Sequence, residues 1–174
     1  MYRRILVPID CGPLANRALD AAIDIARLSG AAIRVLHVLD DLVFATGFEM
    51  GATYAHDVLP RLKRDAERCL AKAQGRVAAA GIAVDSVLVE CFARRTSDLI
   101  LEAAKEWPAD LIALGTHGRR GVTRLLLGSD AEQVLRAASV PVLLVRNCAT
   151  DDDEPVQRET AETATVRPSA TAEV

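Results

Sequence analysis

Aromatic side chains are scarce: three Phe, two Tyr and a single Trp make up 3% of the 174 residues. Single-strand and RNA binders that stack bases on Phe, Tyr or Trp are therefore poor matches. A basic excess is also missing. The formal net charge is −3, so the chain carries no global electrostatic footprint for nucleic acid. No stretch approaches the about 18 uncharged apolar residues of a membrane helix. Met1-Tyr2-Arg3-Arg4 leads into only a short apolar run before Asp10, too little for a signal peptide. The expectation is a cytoplasmic protein with no membrane and no nucleic-acid partner. Cysteines are few and scattered. Cys11, Cys69, Cys91 and Cys148 form no CxxC pair, and reduced thiols are expected ahead of a disulfide or a metal site. His37 and His56 stand at no metal-ligand spacing from each other or from a cysteine, and neither is assigned a site.

What is present is a globular composition, 51% apolar and 26% charged, in a length that suits one domain. Arg4 to Asp10 is an apolar run that reads as a buried strand ending in a turn. A helical stripe of Leu14, Ala18, Ala22, Ile25 and Leu28 follows, with Pro13 at its first position and Gly30 at its stop. Ala32 to Leu39 is a second strand, and Asp40 to about Ala55 reads as a loop. Leu59, Leu62, Ala66, Leu70, Ala73, Val77 and Ala80 make a long helical stripe that Gly81 ends. Ala83 to Cys91 is a third strand. Thr96 to Glu106 is a helix with Thr96, Ser97 and Asp98 as cap candidates, broken by Trp107-Pro108. Asp110 to Leu114, Ser129 to Ala138 and Val140 to Arg146 complete the alternation as strand, helix and strand. Pro141 sits at the start of the last, where a missing N–H is tolerated.

Five apolar strands joined by four helices imply an α/β fold. It is read as a single doubly wound domain, a five-stranded parallel sheet with helices on both faces, in strand order 3-2-1-4-5. No internal repeat interrupts it. The domain is placed at residues 1–147, and residues 148–174 are read as an acidic, disordered tail. After Ala149 seven acidic residues face two arginines with no periodic apolar face, a composition that does not bury a core.

In such a sheet ligands sit beyond the carboxyl ends of the strands. There the chain places Pro8-Ile9-Asp10, Val38, and the group Gly115-Thr116-His117-Gly118. The last continues through Arg119-Arg120-Gly121 to Gly128-Ser129 at a helix start. Glycines at such points admit positive φ and close approach of backbone N–H groups to an anion. A helix N-terminus adds donors and the positive end of its dipole. The pattern Gly115-x2-Gly118-x9-Gly128-Ser129 is thus a phosphate cradle that needs no lysine. It is neither GxxxxGK[ST] nor a GxGxxG after the first strand. As bare spacing it says little; the strand before it and the helix and PV-type strand after it make it specific.

Those residues carry a resemblance. Asp110-Leu-Ile-Ala-Leu-Gly-Thr-His-Gly-Arg-Arg-Gly, Leu-Leu-Leu-Gly128-Ser129 and Val140-Pro-Val-Leu-Leu-Val-Arg146 resemble the closing part of a universal stress protein. The opening Ile5-Leu-Val-Pro-Ile-Asp10 and Ala18-Leu19 resemble its start. The likeness covers residues 1 to about 147, and the glycine pattern is similar to that of the family's ATP-binding branch. The resemblance implies that Pro8, Ile9 and Asp10 contact the adenine and ribose end. It implies that Val38 offers backbone groups to adenine, that Gly115, His117 and Gly118 line ribose and phosphates, and that Gly128, Ser129 and Asp130 cradle the phosphates. Arg119 joins this set as a cation able to steer phosphate or as part of a solvated rim. The resemblance further implies ATP, or ADP or AMP, with or without Mg²⁺, and a homodimer paired through Val140 to Val145, which would cover a sheet edge.

Two departures bear on this. Asp10-Cys11-Gly12-Pro13 stands where the family often has Asp-Gly-Ser. Asp130 follows Ser129 where a small or apolar residue is frequent, and its charge is compatible with weaker binding, with a preference for AMP or ADP, or with a bridging Mg²⁺. Asp10 is open to two compatible roles, helix cap and ligand contact. Cys11 is read as a small turn residue ahead of a redox-active one, and His117 as a loop residue ahead of a catalytic base, because neither a nucleophile nor a carboxylate relay accompanies it. The implied function is nucleotide binding in a regulatory or stress-response role without efficient catalysis, slow ATP hydrolysis remaining open. The alternatives are a nucleotide-free interaction module of the same fold, or an enzyme on a related fold. An adenylyl transferase or ATP pyrophosphatase would want a HIGH-type pair or an SGGxDS loop, and Pro-Ile-Asp-Cys-Gly-Pro occupies that place.

Overall fold

The computed structural model describes residues 1–40, 59–91, 94–116 and 127–146. The elements run β1 (Arg4–Pro8), α1 (Pro13–Ser29), β2 (Ala32–Asp40), α2 (Leu59–Ala79), β3 (Val84–Cys91), α3 (Thr96–Glu106), β4 (Leu111–Gly115), α4 (Ser129–Ala137) and β5 (Val142–Val145). The sheet has five strands in the order β3-β2-β1-β4-β5, every pairing parallel, as the alternation of elements predicts. The expected acidic tail lies outside the described residues.

Side chains alternate across a strand, and β1 uses both faces. Ile5 and Val7 join the core under α1 and α2, with Leu19, Ala22, Leu70 and Val77. Leu6 joins the core under α3 and α4, with Leu36, Ile100, Ile112 and Val134. From Ile5 to Val7 the central strand is therefore continuously apolar and buried, as a strand covered on both faces must be.

Local chemistry sets the helix ends. Pro13 opens α1, and Gly30 closes it in the left-handed conformation at φ 73°, its N–H bonded to Ala26 O at 2.8 Å, the usual way a glycine satisfies a terminal carbonyl. The buried face of α1 is Ala15, Ala18, Leu19, Ala22, Ile23 and Ala26. The expected stripe was centred on a neighbouring face, and its last member, Leu28, is 80% exposed. Four alanines share that face with Leu19 and Ile23, and their small side chains let the helix approach the sheet closely. Thr96, Ser97 and Asp98 do not cap α3. Arg95 is the N-cap, with no side-chain cap bond, so the polar residues lie inside the first turn.

The amino edge of the sheet is tied by charge. The Asp110 carboxylate accepts from the N–H groups of Arg3 at 2.7 Å and Arg4 at 3.0 Å. Arg34 on β2 donates to both oxygens of Asp85 on β3, at 2.9 and 2.6 Å, and this hydrogen bond raises the guanidinium pKa. The same guanidinium lies 4.8 Å from the Trp107 ring centre, with Arg4 at 6.0 Å, so the lone tryptophan is held beside two cations.

Two close approaches involve the carboxyl edge. A Cβ on Gly115 would stand 2.9 Å from Leu14 Cβ and 3.2 Å from the Leu14 carbonyl carbon, so glycine is needed there for packing of α1 against β4. Positive φ is not the reason, because among the described residues it occurs only at Gly30, Gly81 and Cys11. The second approach is covalent. Cys11 and Cys69 form a disulfide across 58 residues with Cα atoms 6.1 Å apart, within the usual about 4.4–6.8 Å range. This corrects the expectation of reduced thiols at these two positions. Their separation in sequence hid a tertiary contact between the turn after β1 and α2. Cys91 is a free, buried thiol.

Two measurements test this packing. Gly115→Ala is expected to destabilise the chain by about 1–3 kcal/mol, the usual cost of forcing extra volume against backbone, in urea unfolding followed by Trp107 fluorescence; an unchanged midpoint would contradict the close approach. Peptide mapping of the oxidised chain without reductant is expected to recover Cys11 and Cys69 in one cross-linked species. Reduction should then lower stability by about 2–4 kcal/mol, as for a typical bridge closing a long loop.

Candidate functional site

β1 is the switch point of the sheet. It pairs with β2 on one side and β4 on the other, and helices covering opposite faces diverge beyond its carboxyl end. Pro8 ends β1 there. Ile9 is buried and its N–H bonds Leu36 O of β2 at 2.8 Å, which carries the chain one residue further along the sheet and fixes where Asp10 emerges. The Gly12 N–H donates to Asp10 Oδ1 at 2.8 Å, a side-chain turn of the kind Asp favours. A Cβ on Gly12 would lie 2.9 Å from that same oxygen, so glycine is required for the carboxylate to fold back.

Asp10 is not the cap of α1. That position belongs to Gly12, which has no side-chain cap bond. Asp10 Oδ2 is buried and has no hydrogen-bond partner among the described residues. A buried carboxylate oxygen without a donor is costly and asks for an explanation. Here it is an acceptor site at the mouth of the sheet. Cys11, between Asp10 and Gly12, has φ 67°, a left-handed conformation that is uncommon outside glycine, Asn and Asp.

On the β4 side, Gly115 closes the strand and Thr116 continues it by donating its N–H to Val145 O of β5 at 2.9 Å. The Thr116 carbonyl accepts the Gly128 N–H at 2.8 Å, which fastens the start of α4 to the end of β4. The Gly128 N–H is therefore engaged in the fold. The donors α4 can offer a ligand are those of Ser129, Asp130 and Ala131, which precede the first helical bond, from Glu132 N–H to Gly128 O at 2.9 Å. Gly128 is the N-cap at φ −61°, ψ 145°, with no side-chain cap bond, and Ser129 is the first helical residue.

Ser129 and Asp130 line a cavity of about 390 Å³ with Arg94, Arg95, Thr96, Ser97 and Gln133, a size in the small-molecule range. Two helix N-termini, of α3 and α4, thus meet at one space. The Ser97 hydroxyl there is fully buried and without a partner among the described residues. Arg95 donates to Gln133 Oε1 at 3.2 Å, and Arg94 pairs with Glu102 at 2.9 Å. The arginines bring positive charge to the cavity that Asp130, exposed in the first turn of α4, opposes.

Of the expected site residues, Pro8, Ile9, Asp10, Val38, Gly115, Gly128, Ser129 and Asp130 fall on described segments. All lie on the carboxyl halves of strands, just past the end of β1, or at the start of α4. Val38 is half-buried on β2, packed against the core under α3 and α4. His117, Gly118 and Arg119 lie outside the described residues. Sequence reasoning missed Arg94, Arg95, Ser97 and Gln133. Arg94-Arg95 before a helix start was the available signal, overshadowed by the cap reading of Thr96-Ser97-Asp98. It also missed the grouping of Cys11 and Cys69 with His37, for which spacing gave no signal.

Known proteins share this fold. Residues 1–146 match the universal stress protein family. A universal stress protein of Thermus aquaticus, encoded beside a QAH/OAS sulfhydrylase gene, is 33% identical over 146 residues, spanning 84% of this chain and all of that one. The universal stress protein UspA of Lactobacillus plantarum superposes with a TM-score of 0.73 at 26% identity, covering 83% of this chain and 98% of that one. Two further similar structures are nucleotide complexes. A universal stress protein of Archaeoglobus fulgidus with dAMP has a TM-score of 0.60 at 26% identity, over 83% and 98% of the two chains. A universal stress protein with cAMP has a TM-score of 0.58 at 26% identity, over 83% and 97%. With sheet order and family match in agreement, this chain belongs to the universal stress protein family.

Proposed function

We propose that this protein binds an adenine nucleotide at the carboxyl edge of its sheet and acts as a regulatory or stress-response protein without efficient catalysis. The observation that carries the reading is Asp10. One oxygen is fixed by the Gly12 N–H and the other is buried and unpartnered, as an acceptor awaiting a ribose hydroxyl or an adenine amino group would be. The similar structures holding dAMP and cAMP support the ligand class.

ATP is the nucleotide we favour, with ADP and AMP as the alternatives. The adenine and ribose lie toward Pro8, Ile9, Asp10 and Val38. The phosphates lie toward Gly115, His117, Gly118, Arg119 and the start of α4 at Gly128, Ser129 and Asp130, with Mg²⁺ able to bridge Asp130 and the phosphates. Residues 1–147 are the nucleotide-binding unit, and 148–174 an acidic extension. β5 is an edge strand of half-buried apolar residues, which supports pairing of two copies through Val140 to Val145. A cytoplasmic setting fits this reading, and among the described residues no helix is long and apolar enough to cross a membrane.

Denaturing the protein purified without added nucleotide and analysing the released small molecules by mass spectrometry is expected to yield adenine nucleotide. Calorimetry of the stripped chain should show saturable ATP binding. Asp10→Ala removes the acceptor, and Gly128→Val sets a branched side chain beside the N–H groups of Ser129 and Asp130. Each is expected to weaken binding at least about tenfold, equivalent to about 1.4 kcal/mol, with thermal unfolding measured alongside to show that the variants are folded. No released nucleotide and no saturable binding by the parent would favour a nucleotide-free interaction module.

A further inference from the structure

We propose that Cys11, His37 and Cys69, once the two sulfurs are reduced, form a binding site for a divalent cation of the zinc class. The three side chains come from different elements: the turn after β1, the middle of β2 and the middle of α2. Their ligand atoms, two sulfurs and an imidazole nitrogen, all lie within 4.8 Å of one another. Around a tetrahedral zinc with bonds of about 2.0–2.3 Å, such atoms stand about 3.6–3.8 Å apart. Closing the set around an ion thus asks for side-chain adjustments on the order of 1 Å and no rearrangement of the fold. His37 is 8% exposed, so its imidazole belongs to the interior wall of this cluster.

The donor set selects the ion. Two thiolates and an imidazole suit zinc and its cobalt surrogate, whereas Mg²⁺ and Ca²⁺ take oxygen ligands. Cys₂His leaves a fourth coordination position for water or another donor. The backbone gives an independent reason to regard position 11 as chemical. Cys11 sits at φ 67°, where glycine is free of strain and a side chain is not. A disulfide engages Cys11 and Cys69 alone. A metal site uses all three.

The two states exchange by ordinary thiol chemistry. A dithiol reductant transfers two electrons and two protons, breaking the S–S bond to give two thiols while itself closing to a disulfide. The cation then displaces both thiol protons and bonds the two thiolates and the neutral imidazole. Cys11 adjoins Asp10, and His37 adjoins Val38, so the cluster flanks the proposed adenine end, but it stands without the nucleotide reading.

The test uses the full chain carrying Cys148→Ser, since Cys148 lies outside the described residues and its thiol would otherwise contribute. The protein is reduced with a dithiol, freed of it under anaerobic conditions, and titrated with Co²⁺. The expected result is one equivalent bound with thiolate-to-cobalt charge-transfer absorption, bleached by Zn²⁺ and absent from the oxidised chain. Cys69→Ser should abolish the band. His37→Gln should weaken binding by at least the about 10–100-fold that follows loss of an outer-shell partner. A readout without these ligand substitutions runs alongside: Zn²⁺ should protect Cys11 and Cys69 of the reduced chain from iodoacetamide, mapped peptide by peptide. A reduced chain with no charge-transfer band, a band that survives Cys69→Ser, or equal alkylation of Cys11 and Cys69 with and without Zn²⁺ would overturn the proposal.

Discussion

The structure depends on β1 being buried on both faces while lying between β2 and β4. Ile5, Leu6 and Val7 are fully buried because consecutive side chains must serve two separate cores, one under each pair of helices. A strand in that position cannot also bury polar side chains along its length, so the first place the chain can present chemistry is where β1 ends. Both Asp10, whose Oδ2 has no partner among the described residues, and the strained backbone of Cys11 are found at that end. The crevice beside them exists because the crossover helices on the two sides of β1 lie on opposite faces of the sheet.

The two edges of the sheet divide the labour. At the amino edge the polar groups are matched: Asp110 takes two backbone donors, Arg34 and Asp85 form two parallel hydrogen bonds, and Trp107 lies beside two guanidinium groups. Such an edge adds stability and offers a ligand little. At the carboxyl edge Asp10 Oδ2 and the Ser97 hydroxyl are buried without partners, and Cys11 holds a left-handed backbone. Unsatisfied groups and strain each cost on the order of 1–3 kcal/mol. A marginally stable domain tolerates a few such costs when the rest of the fold is consistent, and they gather where function is expected.

The fold was legible in the sequence because its signals are local. The apolar runs at Ile5, Ile33 and Leu111, the stripe from Ala66 to Val77, Pro13 and Gly30 each report their own neighbourhood. The strand order rested on topology rules and the family resemblance. What escaped was non-local. Gly115 looked like a ligand-approach glycine, yet its tight contact is with Leu14, about a hundred residues earlier in the chain. Leu28 looked like core because leucine is apolar, whereas the helix turns its alanines inward to come close to the sheet. Cys11, His37 and Cys69 share no spacing rule, and only the packing of α2 over β2 and β3 brings them together. Position 11 did stand out against the family pattern, as a cysteine where glycine is common, and that departure falls on the residue with the unusual φ.

Electrostatics at the second half of the site follows the same logic of competing demands. Asp130 and Glu132 in the first turn of α4 stabilise the helix by answering its dipole, and in doing so they spend part of the field that would attract a phosphate. Arg94 and Arg95, at the start of α3, face the same cavity and restore positive charge, but through side chains already engaged with Glu102 and Gln133. Attraction for an anion therefore comes from rearrangeable side chains in an open, salt-screened setting. The Asp10 end differs in kind: its geometry is fixed by the Gly12 N–H and the Ile9 bond to β2, and its acceptor is buried. Under the proposed nucleotide reading, a site built this way places its rigid, screening-resistant recognition at the β1 end and leaves the contribution of the phosphate end sensitive to ionic conditions and to the number of phosphates present.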